Sequence, residues 1–392
     1  MKNKFLLIGA LSSLMFVTSC SSDDDTGAPP ELLTETIDCS TNVAAGETLT
    51  LENRNDGIDY IINCVYGING DLIIKPGVTI QFGTDAGLAI LNTGSIQALG
   101  IVGEPVLFTG EDRNPGSWRG IYIETNDIKN KMEFTNIEYA GGKAFNSNGD
   151  KGAVIVWSNS HLTMRNSVIS NSETYGFNAI YGGDELVLEN NTITNCNVPM
   201  IIRPNYVNGM VGGNYKGNGT NAIYLNDGFL NIDATFKDFG VPYHILSRLV
   251  VSAGGGKLTI NPGVVMKFGL NASLVVDEGA SGSKPSLVAV GTAQSPILFT
   301  GIDAVLGAWQ GIYFDTPSAL NEIGFATIEY ASNPDQEGAI ETWYNTVLNV
   351  HDVTFKDIQR CAIHQYKFPN DPNTLITSNL TYINVTNNFC QN

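Results

Sequence analysis

The chain has 392 residues, with 21 Lys or Arg against 39 Asp or Glu and a formal net charge of −18. That acidity argues against nucleic acid and anionic lipid headgroups as partners, because both would repel it. Only 15% of residues are charged and 42 are glycine, which suits a long, regular β structure better than a helical one.

In chain order, the first elements stand apart from the fold. Residues 1–19 carry Lys2 and Lys4 at their head, an apolar run from Phe5 to Val17, and small residues before Cys20. That is a secretion signal, too short to span a bilayer comfortably. Residues 20–30, CSSDDDTGAPP, are polar, acidic and proline-containing, as a solvated tether should be. No later apolar stretch reaches membrane-spanning length. The tract Val17-Thr18-Ser19-Cys20 resembles the lipobox of bacterial lipoproteins, with Val17 where that family usually has Leu. The resemblance implies a lipidated Cys20, and Ser21 after it implies the outer membrane. The acidic residues beyond resemble the surface-export signal of Bacteroidota lipoproteins. The membrane is then touched through the lipid anchor only, and stable anchoring takes two or more acyl chains. The other reading is an ordinary signal cut near Ser19 that leaves Cys20 as a free thiol.

Beyond the tether the sequence repeats. PVLFTGEDRNPGSWRGIYIET (105–125) returns as PILFTGIDAVLGAWQGIYFDT (296–316) with 12 of 21 positions identical. KPGVTIQFGTDAGL (75–88) matches NPGVVMKFGLNASL (261–274), and GAVIVWSNSHLTM (152–164) matches GAIETWYNTVLNV (338–350). Two halves follow, 31–235 and 236–392. A shorter period lies inside them: LTMRNSVISN (162–171) aligns with LVLENNTITN (186–195) at an offset of 24. Apolar residues alternate with polar ones on both sides of a central Asn, which predicts strand, sharp bend, strand. Asn166 and Asn190, with Asn136 and Asp352 as equivalents, are expected to stack at one corner and hydrogen-bond along the stack.

A period of 20–30 residues built from short strands and Asn bends indicates a solenoid. The pattern resembles the right-handed parallel β-helix, the pectin-lyase-like fold. The PGVxIxFG and GxWxGIY segments resemble most closely the β-helix lipoproteins of Bacteroidota. The predicted fold class is all-β, a right-handed parallel β-helix built from two homologous halves. A pair of β-sandwiches is the alternative. Phe82 and Phe268 take matched inward positions, and a cap is expected at each end.

The cysteines fit the coil. Cys39 and Cys64 are 25 apart, and Cys361 and Cys390 are 29 apart, each close to one turn. Residues stacked one turn apart lie within disulfide reach. Both pairs are therefore expected to bridge, with Cys196 left as a small buried thiol.

Chemistry is harder to find. Galacturonan hydrolases of the resembled fold carry N-x-D, D-D and G-H-G motifs. Here NID at 231–233 is a loose match, the only Asp-Asp run is in the tether, and no G-H-G occurs. The fold's lyases use Arg or Lys, and Arg203 is the nearest candidate. It lacks acidic neighbours and reads better as a carbonyl-capping or solvent-facing residue. His161, His244, His351 and His364 show no metal-ligand spacing. NSNGD (146–150) is a partial calcium loop without its bidentate Glu. No catalytic residue, metal or cofactor is assigned.

The stronger signal is aromatic. Alternation turns Tyr122 and Tyr313 outward beside Glu124 and Asp315, and turns Trp157, Glu341 and Trp343 outward as well. Outward aromatics flanked by carboxylates suit stacking on sugar rings. They suit equally the covering of a coil surface under loops. The expected function is a lipid-anchored surface protein that binds glycan or another surface polymer without catalysis. A polysaccharide lyase or hydrolase, and a structural or adhesive stalk, are the alternatives.

Overall fold

Short strands recur along the chain, and most pair in parallel with the third strand after them. Val65–Ile68 pairs with Gly87–Leu91, which pairs in turn with Gly120–Glu124, Val154–Val156, Tyr175–Ala179 and Val198–Ile202. Two further stacks do the same, one from Glu35–Thr36 to Thr192–Thr194 and one from Thr48–Leu51 to Met210–Val211. Three parallel stacks climbed in turn by one chain make a parallel β-helix. The computed structural model describes residues 33–392 except 55–56, 182–184, 227, 253, 255, 280–281, 334–335 and 369–371. The expected signal stretch and the expected tether with Cys20 lie outside the described residues.

The period-2 alternation sets the core. Ile90, Ile123, Val156, Ala179 and Ile202 rise in one inward column, and all are buried. Burial of each large aliphatic chain contributes about 1.5–3 kcal/mol. The neighbouring outward column runs Ala89, Tyr122, Ile155, Asn178, Ile201, Tyr224 and His244. Some polar groups inside are hydrogen-bonded, although the buried Tyr215 hydroxyl has no partner. The Asn191 amide accepts from Ser167 N–H at 3.0 Å and donates to the Met164 carbonyl at 2.8 Å.

The corners are left-handed. Asn166, Asn190 and Asp352 have φ of 49°, 55° and 54°, and short polar side chains tolerate that region best. Asn136 does not join them. It lies within the strand Thr135–Glu138, paired with Leu107 and Val168, and Phe134 takes the bend with φ of 45°. A second left-handed corner follows each by five residues, at Tyr139, Asn171, Asn195 and Asp357. The expected amide stacking occurs where Asn379 donates to Asp352 at 3.2 Å and Asn384 to Asp357 at 2.6 Å.

The stacks do not run straight through. Ile223–Leu225 sits above Val198–Ile202 and below Tyr243–Ile245, which leads on to Val265–Phe268. Yet Val265–Phe268 matches Thr79–Phe82 in the sequence repeat, a strand of a different stack. The repeat therefore resumes one face over. The shift falls near the 3-10 turn Pro204–Gly209, which lies between Val198–Ile202 and Met210–Val211. Asn208 fills the gap, accepting from Thr235 N–H at 3.0 Å and donating to the Asp233 carbonyl at 2.7 Å.

Both expected disulfides form, Cys39–Cys64 with Cα atoms 6.2 Å apart and Cys361–Cys390 with 6.0 Å, and Cys196 is free and buried. The second bridge is not between register partners: Cys390 lies beside His364, after a register shift between Ile358 and Cys361. The strands Leu375–Ser378 and Thr381–Gln391 both pair in parallel with Leu348–Gln365.

Candidate functional site

The outward aromatics and carboxylates singled out from the sequence gather in two patches, one on each repeat. In the first, Tyr122 stands in register with Ala89 below and Ile155 above. It points outward as expected, but it is buried. Phe145 stacks on it at 5.3 Å. Phe145 belongs to the connection 141–151, which is fastened by the Lys143–Asp85 ion pair at 2.8 Å and by Arg119, which donates to the Ala144 carbonyl. The Tyr122 hydroxyl donates to Glu124 at 3.1 Å. Burial, then the Glu124 charge, pushes that phenol up. Trp157 is half-buried against Tyr181 at 4.4 Å, and Glu124 is exposed. NSNGD (146–150) lies in this same connection, with Asn146 donating to Asp150 at 3.0 Å. The functional order of this patch is thus partly a covering order: aromatics under a pinned loop.

The second patch is arranged differently. Tyr313, Glu341 and His364 stand in one outward column on successive coils, and Glu341 takes the place that Ile155 holds in the first patch. The matching connection, 332–337, is six residues long instead of eleven, and it brings no phenylalanine over Tyr313. Trp343 lies 4.5 Å from Tyr366 and 4.7 Å from Tyr344, and Tyr344 stacks on the exposed Phe368 at 4.2 Å. Tyr313, Asp315, Trp343, Tyr344 and Tyr366 are all half-exposed.

The electrostatics distinguish it further. Glu341 does not face open solvent as its alternation implied; it is outward but buried. Its carboxylate accepts the Glu337 N–H at 3.2 Å. Burial, helped by the Glu337 charge, holds its carboxyl above the usual range. Burial, then Asp277 and Glu278, does the same for Asp315. Burial lowers the His364 imidazole. The His364 Nδ1 and Thr342 Oγ1 atoms are buried without a hydrogen-bond partner.

Elsewhere the candidates take structural work. Arg203 donates to the Ile180 carbonyl at 3.0 Å, capping the coil. Asp233 of the NID stretch accepts the Lys257 N–H at 2.8 Å. His161 is buried 3.8 Å from Glu185, and His351 lies between Asp352 at 2.9 Å and Glu322 at 3.2 Å. Among the described residues no cluster of three or more His, Cys, Asp or Glu could hold a metal ion. No described helix is long and apolar enough to cross a membrane.

Tyr344, Tyr366 and Phe368 were missed at the sequence level. Tyr366 lies beyond the last residue of a paired strand, and Phe368 in the connection after it, where period-2 alternation no longer speaks. The spacing Trp343 to Tyr366, one coil of 23 residues, was the available signal.

No protein-family model matches the chain, and no curated protein matches it significantly. Among solved structures, the chain is similar to the surface protein and adhesin PfbA of Streptococcus pneumoniae at 11% identity, over 86% of this chain and 92% of that one, with a TM-score of 0.22. A score so low carries no weight for fold or function.

Proposed function

We propose that this is a cell-surface protein that binds glycan, or another extended surface polymer, through the second patch and without catalysis. The observation that carries the reading is the half-exposed aromatic run Trp343, Tyr366, Tyr344 and Phe368 beside Glu341 and Asp315. Aromatic faces stack on the apolar faces of sugar rings, and carboxyl groups accept from hydroxyls. The β-helix supplies a rigid support, since Tyr313 and Glu341 lie on strands paired on both sides and Trp343 and Tyr366 each follow directly after a paired strand.

The remaining parts of the reading rest on the sequence. We propose a right-handed coil, duplicated from one ancestral half. The matched Phe-Trp stacks in each half support this, and parallel crossovers are right-handed as a rule. We propose display from the outer membrane through lipid on Cys20, supported by the lipobox-like tract and the acidic tether. Cys20→Ser then releases the chain from the membrane fraction and abolishes the acyl mass; unchanged fractionation overturns the anchor.

The binding test is a glycan array together with a degradation screen on the whole chain. Binding without new reducing ends or unsaturated products, lost in Trp343→Ala, is the expected result. No binding to any polymer overturns it. One observation favours a second reading, a glycan-cleaving enzyme: Glu341 and Asp315 are both held above the ordinary carboxyl range within one patch, as an acid catalyst must be. Products that vanish with Glu341→Gln would select that reading.

A further inference from the structure

Two outward columns run side by side through the second patch. One climbs Val275, Tyr313, Glu341 and His364 on successive coils. The other climbs Asp277, Asp315, Trp343 and Tyr366. Asp277 and Asp315 are register partners. Trp343 comes next because its N–H donates to the Phe314 carbonyl at 2.8 Å, and Tyr366 after it because its N–H donates to the Thr342 carbonyl at 2.9 Å. Neighbouring coils are about 4.8 Å apart. This column is therefore two carboxylates followed at once by two aromatic rings, with Trp343 and Tyr366 4.5 Å apart.

Like charges directly opposite one another on a sheet are destabilising. Among the described residues neither Asp277 nor Asp315 forms an ion pair, and the charges felt by Asp315, beyond its burial, are those of Asp277 and Glu278. Two cations border the patch. Arg360 is taken by Glu337 at 2.9 Å, and Arg248 stands beside Ser273, at the other end of the strand from Asp277. The first repeat shows that the coil does not need this acid: Leu91 holds the place of Asp277, Ile155 that of Glu341 and Lys151 that of Glu337. One more polar atom is unused at the platform. His364 is 7% exposed, its ring lies 4.4 Å from Tyr366, and its Nδ1 atom is buried without a hydrogen-bond partner.

We propose that the polymer bound at this patch is an amino-sugar polymer with free ammonium groups, the ammonium seated between Asp277 and Asp315 and the sugar ring on Trp343 and Tyr366. The inference rests on the glycan reading above and names its substrate class. A cation between the two carboxylates removes their repulsion and gains charge-assisted hydrogen bonds. The rings one coil away hold the apolar face of the sugar and add cation–π attraction. His364 leaves a hydrogen-bonding atom at the platform edge for a ring hydroxyl. A neutral polymer gains the stacking alone, and a uronate polymer is repelled by the same column. A lysine side chain would meet the carboxylates, but its flexible stem has no flat face for the two rings.

Calorimetric titration of the whole chain tests this with a short glucosamine oligomer bearing protonated amines, its fully N-acetylated form, and a galacturonate oligomer of the same length. The amine form should bind about tenfold or more tighter than the N-acetylated form, with galacturonate weakest. That preference should shrink as salt is raised. Asp277→Asn with Asp315→Asn, which keeps the side-chain shapes and removes the repulsion, should bring the amine and N-acetylated forms within about threefold of each other. If the double variant misfolds, the parent still decides: a preference that salt does not move overturns the proposal. Equal affinity for the amine and N-acetylated forms, or tighter binding of galacturonate, overturns the ammonium site and leaves the glycan reading standing. An oligolysine of equal charge that binds as tightly as the amine oligomer overturns the sugar as the ligand. Binding to none of the three overturns the proposal as well, and the glycan array then shows whether the glycan reading falls with it.

Discussion

Phe268 lies 4.1 Å from the Trp309 indole and within 9° of parallel to it, inside the coil. Phe82 and Trp118 stand in the same relation, at 4.0 Å and 5°. Each indole N–H donates to a backbone carbonyl, Trp118 to Glu138 at 2.7 Å and Trp309 to Glu329 at 2.9 Å. All four side chains are buried. Phe82→Ala or Phe268→Ala should therefore cost about 3–5 kcal/mol, and a Phe268/Trp309 double-mutant cycle should return a coupling of about 0.5–1.5 kcal/mol. Denaturant unfolding measures both. A loss below about 1 kcal/mol would put the rings outside the core.

Trp157 and Trp343 hold matched places in the repeat but not matched surroundings. Trp157 belongs to the patch that Phe145 covers, and Trp343 to the open one. Trp343→Ala should weaken polymer binding by about tenfold or more, as truncation of a central aromatic does. Trp157→Ala should change binding little. Equal losses in titrations of the two variants would show that the loop does not close the first patch.

Glu341 offers a stability test with a definite sign. Its folded-state carboxyl is raised, so ionisation costs stability above the ordinary carboxyl range, and that cost fades as pH falls through it. Glu341→Gln keeps an acceptor for the Glu337 N–H and removes the buried charge. The variant should be more stable than the parent at pH 7, with the gap closing towards pH 4. Urea midpoints at the two pH values decide it; a variant that is less stable at pH 7 would show that the carboxylate is paired.

His244 slopes the other way. Burial, then the Lys267 charge, lowers its imidazole to about 4. It stacks on Tyr224 at 5.2 Å, and its Nδ1 atom is buried without a hydrogen-bond partner. An unfolded histidine titrates near about 6.5. Between those values the unfolded chain binds a proton that the folded chain refuses. The stability from neutral His244 is complete above pH 6.5 and is lost as pH falls towards 4, by at most roughly 3 kcal/mol. His244→Gln should flatten this part of the curve. An unchanged slope would mean that the imidazole is already charged or hydrated.

The two bridges should act at opposite ends. Opening either loop, of 25 or 29 residues, should cost about 3 kcal/mol in the chain-entropy account. Hydrogen exchange should then quicken around 35–64 in Cys39→Ser and around 361–391 in Cys361→Ser, leaving the middle protected. Cys196, buried with its thiol pushed up to about 11, should resist alkylation until the coil unfolds. Prompt labelling of Cys196 in the native state would contradict its placement.

Much of the coil was legible beforehand because its determinants are local. Period-2 alternation turned Ile121 and Ile123 inward and Tyr122 outward, and the 25- and 29-residue cysteine spacings were one turn of chain. Left-handed bends declared themselves through Asn166 and Asn190, whose short amides bear φ near 50° at little cost. The same rule misassigned Asn136, since Phe134 occupies the bend and nothing in a phenylalanine announces a left-handed residue. The patches depended on matters that no local pattern encodes. Whether Tyr122 or Tyr313 meets solvent was settled by a neighbouring connection that is eleven residues long in one place and six in the other. Whether Glu341 is bathed or buried depended on the side chains packed around it from successive coils. The face on which the second repeat resumes depended on how the chain around the 3-10 turn Pro204–Gly209 led Ile223–Leu225 and then Tyr243–Ile245 onto Val198–Ile202. Strand direction and side-chain facing follow from nearest neighbours in the chain. Exposure, charge state and the phase of the stacks follow from neighbours in space, which only the assembled coil brings together.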